Sequence, residues 1–164
     1  MINPGSGLTG GQGASREQHD FDAWVARATD AGSEALARFI TDVRKDGFQW
    51  RDLIPALGVI VREVVKVTGE WLRSDTRHFP REFRNSKPKE VAHAIAKRAL
   101  VHVIQRHWQR AWDTVWAWFP RLARWVPGLK GVLGSYLRGQ VEDAIDDLIV
   151  EKVEDAKAAP EVLA

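Results

Sequence analysis

The chain has 164 residues, 45% hydrophobic and 28% charged, with a net charge of +2: enough apolar material for one packed domain and little length for two. It contains no cysteine, which excludes disulfide staples, thiolate metal sites and a cysteine nucleophile. Its start, MINPGSGLTGGQG, has neither the basic nor the apolar region of a signal peptide, and the longest uncharged apolar run, Leu53–Val61, falls far short of the roughly 20 residues that span a bilayer. The expectation is a cytoplasmic protein or a component of an assembled particle.

Charge is segregated along the chain. Residues 1–61 carry −2, residues 62–97 carry +4, residues 98–138 carry +6 and residues 139–164 carry −6. A basic middle and an acidic end can pair within one chain or face separate partners, including a second copy.

Residues 1–14 are Gly-rich and read as a flexible arm. Ser15 and Gln18 have the spacing of a capping box that opens a helix, with Phe21, Trp24, Val25 and Ala28 recurring on one face behind it. Asp30–Ser33 is a place where this helix breaks or is carried through. Leu36, Phe39, Ile40 and Val43 continue the face, and Gly47 suits the position after a helix end. Trp50, Ile54, Leu57, Val61, Val64, Thr68 and Trp71 alternate in steps of four and three, a seam that packs inside a bundle, with Asp52 as its predicted cap.

The segment 74–88, SDTRHFPREFRNSKP, is a basic and aromatic linker inside the helical domain of residues 15–157. Phe79 and Phe83 are expected to plug the end of the core rather than to grip a phosphate backbone. Ser86, followed by Pro88, is the predicted start of a long central helix over about 87–118, with an unusually wide apolar arc from Val91 to Phe119. Pro120 restarts the chain, Pro127-Gly128 ends the short piece that follows, and Gly128, Gly131 and Gly134 read as a mobile apolar loop. Ser135 is the predicted start of a last amphipathic helix with Leu137, Val141, Ala144, Ile145, Leu148 and Ile149 inward, and the tail 158–164 is expected to fray. No segment alternates with period two for long enough to be a strand. The fold class is therefore all-α, a single bundle of four to six helices.

The chemistry-bearing residue types do not converge. His93, His102 and His107 are spaced nine and five apart, not the four of a helical metal pair, and no phosphate-binding or nucleophile motif is present. Glu142, Asp143, Asp146, Asp147 and Glu151 crowd one helix, but no second acidic motif opposes them to hold a cation. No catalytic residue, cofactor site or metal site is assigned, and no small-molecule substrate is evident.

The most unusual stretch is Arg98–Arg138, which holds five of the eight tryptophans and seven Lys/Arg against a single acid, Asp113. Trp108, Trp112 and Trp116 fall at helical spacing and suit a core, whereas Trp118 and Trp125 point elsewhere. The sequence thus predicts a non-enzymatic interaction or assembly protein. Its working surface is Trp116, Trp118, Arg121, Arg124, Trp125, Leu129, Lys130 and Leu133, and the matching acidic face is Glu142, Asp143, Asp146, Asp147 and Glu151. The favoured partner is a protein or the acidic helix of another copy, with an anionic membrane surface second. The alternative is nucleic-acid binding through Arg/Lys and stacked aromatics, and an all-α hydrolase comes third.

Overall fold

The computed structural model describes residues 4–74 and 79–158, with side chains placed for 16–74 and 79–152. All its regular structure among these residues is helical: α1 (Pro4–Asp46), α2 (Leu53–Arg73), α3 (Pro88–Trp116), α4 (Arg121–Arg124) and α5 (Leu129–Ala158), with single 3₁₀ turns at Trp50–Asp52 and Arg81–Phe83. Residues 1–3, the linker positions 75–78 and the end of the tail, 159–164, lie outside the described residues.

The Gly-rich stretch read as an arm is continuous in backbone with α1 from Pro4 on. Ser15 therefore lies within a helix rather than capping one, and Gln18 Nε2 donates to Asp22 Oδ1 at 2.9 Å, a one-turn pair along the helix surface. The helix also runs unbroken through Asp30–Ser33. A Cβ at Gly32 would lie 2.9 Å from a Val64 methyl and 3.0 Å from a Val103 methyl, so this glycine is where α1 approaches α2 and α3 most closely. Gly47 ends α1 with φ +87°, its N–H bonded to Val43 O, as its position predicted.

α2 and α3 share the middle of the bundle. Each packs against the other and against both α1 and α5, and α3 is the long central helix predicted over about 87–118. The α2 seam is buried at Val61, Val64, Thr68 and Trp71, but Trp50 and Ile54 at its start are exposed. Trp50 sits in the 3₁₀ turn, whose tighter winding breaks the seam's register before α2 begins. Asp52 occupies the cap position without making a side-chain capping bond.

The linker acts as a plug where it is described. Phe79 meets Trp71 at 5.4 Å, Phe83 stacks on Phe21 at 5.5 Å, and Pro80 is buried. The start of α3 corrects the Ser86 assignment by one residue: Lys87 is the cap, Pro88 opens the helix, and Glu90 Oε2 accepts from Lys87 N at 3.1 Å. Val91, Ile95, Ala99, Leu100, Val103 and Trp112 bury the wide arc of α3 against three neighbours at once. Between α1, α2, α3 and α5 the core leaves an apolar cavity of about 100 Å³, bounded by Leu57, Val61, Val103, Trp108, Val141 and Ile145 among others.

α5 corrects the loop expected around the glycine triplet. It begins at Leu129, directly after Gly128 (φ +76°), so Gly131 and Gly134 lie inside the helix and Ser135 does not start it. The reason is packing: a Cβ at Gly134 would lie 2.7 Å from Trp112 Nε1, and only a bare backbone leaves room for that indole. Val141, Ile145 and Ile149 then bury the inner stripe of α5.

Candidate functional site

One end of the bundle is built from aromatic side chains contributed by four stretches of chain. Along α3, Trp108 and Trp112 lie nearly parallel with ring centroids 6.3 Å apart, and Trp112 meets Trp116 at 5.7 Å. Phe119 closes on Trp116 at 4.5 Å and on Trp112 at 5.6 Å. Trp50 then touches Phe119 edge-on at 5.6 Å, and Phe48 and Phe39 carry the ladder back to α1 at 5.1 and 6.3 Å. Offset and edge-on geometries of this kind add specific attraction to the burial of large apolar rings. The α3 tryptophans are thus an inner scaffold, as their spacing predicted.

α5 fastens onto this scaffold at two adjacent points. Trp112 Nε1 donates to Lys130 O at 3.0 Å, and Lys130 Nζ pairs with Asp113 Oδ1 at 2.6 Å. The Asp113 carboxyl lies below the usual carboxylate range, chiefly because Lys130 donates to it. Gln109 Nε2 adds a second donor at 2.8 Å.

Of the residues predicted as a working surface, four are only partly exposed. Trp116 is half-buried in the ladder, Lys130 is tied to Asp113, and Leu129 and Leu133 are half-buried on α5. Trp118, Arg121, Arg124 and Trp125 are exposed, with Trp118 at 50% and Trp125 at 73%. Around them the structure exposes residues that the sequence reading passed over: Leu122 at 79%, Val132 at 68%, and also Val126 and Tyr136. Leu122 and Val126 sit in and just after α4, a single turn too short to have a readable period. Residues 114–141, which contain this whole tip, hold four bases and no acid.

The predicted acidic face is partly engaged within its own chain. Lys97 Nζ lies 3.2 Å from Asp146 Oδ1, and Arg138 Nε lies 3.1 Å from Glu142 Oε1. Among the described residues Glu151 has only a distant neighbour, Lys152, at 3.9 Å. Asp143 and Asp147 point outward and make no ion pair among the described residues. The basic middle and the acidic end therefore meet in cis at Asp146, through Lys97 of α3, and at Glu142, through Arg138 of α5.

Among the described residues no three His, Asp or Glu side chains gather as a metal site, and no helix is long and apolar enough to cross a membrane. His107 is spent on a 3.1 Å hydrogen bond with Ser33 Oγ between α3 and α1. Three arginines absent from the predicted surface, Arg44, Arg106 and Arg110, line a groove on the α1–α3 side of Trp118. Arg106 and Arg110 are one turn apart on α3, and only tertiary structure puts Arg44, from the end of α1, along the same groove. No protein-family model, curated protein or solved structure matches this chain.

Proposed function

We propose that this protein is a non-enzymatic assembly module that docks through the α4 tip onto an acidic protein face. The observation that carries the reading is the tip itself. Leu122, Trp125 and Val132 hold their side chains out in water within a stretch that has four bases and no acid. Exposed aromatic and aliphatic groups flanked by arginine are the side chains that anchor protein interfaces once desolvated. The acidic face on hand is the outer ridge of α5, where Asp143 and Asp147 have no ion pair among the described residues. Tip on ridge is a head-to-tail contact between two different surfaces, which closes into a ring or extends as a filament.

The test is solution mass by light scattering across protein concentration and salt, for the native chain and for Leu122→Ala/Trp125→Ala. Self-assembly through the tip predicts a mass that rises with concentration, falls with salt and returns to the monomer value in the double variant. A native chain that stays monomeric at every concentration defeats the self-assembly reading.

A second reading is an anionic bilayer surface, supported by the absence of acids across residues 114–141 and by the exposed Trp118 and Trp125. It predicts flotation with vesicles containing phosphatidylserine but not with phosphatidylcholine alone. The same double variant should abolish it.

A further inference from the structure

On the α1–α3 face, next to the tip and sharing Trp118 with it, Arg44, Arg106, Arg110, Asp113, Thr114 and Trp118 line an open groove of about 840 Å³. That volume lies in the range of small-molecule sites. Thr114, which also lines it, turns its hydroxyl back to donate to Arg110 O at 2.9 Å.

The charge of the groove is one-sided. Asp113, the one acid lining it, is already held by Lys130 and Gln109. Arg44, Arg106 and Arg110 make no ion pair among the described residues. Three guanidinium groups with open donors, from two helices, suit a ligand with several oxygen acceptors, because their planar forks bind phosphate oxygens in pairs.

Trp118 gives the groove a second, different end. One side of its ring rests near Gly47, where a Cβ would lie 3.4 Å from Trp118 Cζ3, and half of the residue is open to solvent. α1 ends at Asp46 and α3 ends at Trp116, so the negative ends of both helix dipoles point toward this ring. Arg106 and Arg110 lie about 6 Å apart along α3, and Trp118 roughly 12 Å beyond Arg110 at helical rise. The groove therefore has Arg106 and Arg110 at one end and the Trp118 ring at the other, with Arg44, in the last turn of α1, on the Trp118 side.

We propose that this groove binds a nucleotide, with its phosphates on Arg110 and Arg106 and its base stacked on Trp118, beside Arg44. The nucleotide can be free or belong to a single strand, since both present the same two groups.

The test is calorimetric titration of the full chain with ATP, tripolyphosphate, adenosine and a short oligothymidylate, at low and moderate salt. ATP or the oligonucleotide should bind at least about tenfold tighter than tripolyphosphate, and adenosine weakest; which of the first two is tighter identifies the source. Arg106→Gln and Arg110→Gln should each weaken binding about tenfold. Trp118→Leu should erase the preference for ATP over tripolyphosphate. All three positions are solvent-facing, so unfolding curves should stay unchanged, and Trp125→Leu at the tip should bind as the native chain does. Equal affinity for ATP and tripolyphosphate, or binding indifferent to both arginine variants, overturns the proposal.

Discussion

Gly134→Ala tests how tightly α5 is docked on the tryptophan ladder. The added Cβ would lie 2.7, 3.0 and 3.1 Å from three atoms of the Trp112 indole. That ring has little room to retreat, because it stacks against Trp108 and Trp116 and its N–H is held by Lys130 O at 3.0 Å. Replacing Gly by Ala inside a helix stabilises by about 1 kcal/mol. Against this stand about 1–3 kcal/mol for overpacking and a further ~1–3 kcal/mol if the nearly buried indole N–H loses its acceptor. The expected net effect is destabilisation by about 2 kcal/mol, a fall in melting temperature of roughly 4–8 °C for a chain of this size. Gly131→Ala is the internal control: it lies in the same helix with nothing within 4 Å of the new Cβ. It should stabilise by about 0.5–1 kcal/mol. Urea unfolding of the three proteins followed by far-UV circular dichroism reads both effects. A Gly134→Ala protein as stable as the native chain would refute the close approach of α5 to Trp112.

Two further perturbations address the electrostatics and the packing. Lys130 holds the Asp113 carboxyl below its usual value, so the folded state binds that proton less readily than the unfolded chain does. Its stabilisation is therefore full above the unfolded carboxylate pKa of about 4 and is lost as pH falls through the lower folded value. The pair is half-exposed and worth at most about 1 kcal/mol. Lys130→Met should lower the urea midpoint slightly near neutral pH and at low salt, and the difference should vanish in acid. A difference that persists unchanged in acid would assign the loss to packing instead. In the core, Val103→Ile places one more methylene at the wall of the 100 Å³ cavity and should stabilise by about 0.8 kcal/mol. A lower urea midpoint would mean that this side of the cavity is already filled.

The helical class, the apolar faces and the α3 tryptophan stack were legible because each repeats with the 3.6-residue period of a helix. Val141, Ile145 and Ile149 are buried where that period places them, and Gly47 ends α1 with the positive φ that its position foretold. The reading faltered where local chemistry competes with packing. Gly131 and Gly134 look like loop residues until Trp112 is seen to occupy the space above the second of them. Trp50 and Ile54 fit a heptad seam on paper, yet the 3₁₀ turn at Trp50–Asp52 breaks that register and both stay exposed.

Composition and periodicity alone determined that this chain is an all-α bundle with tryptophan in its scaffold, since both follow from spacing along a single helix. Which tryptophans face water was decided only by tertiary structure. Trp116 and Trp118 are two residues apart, yet one joins the ladder and the other leaves it, because α3 ends between them. That Arg44 lines the same groove as Arg106 and Arg110 was likewise invisible in the sequence. Sequence spacing fixes neighbours within a helix, but contact between helices depends on crossing and register, which no local pattern encodes.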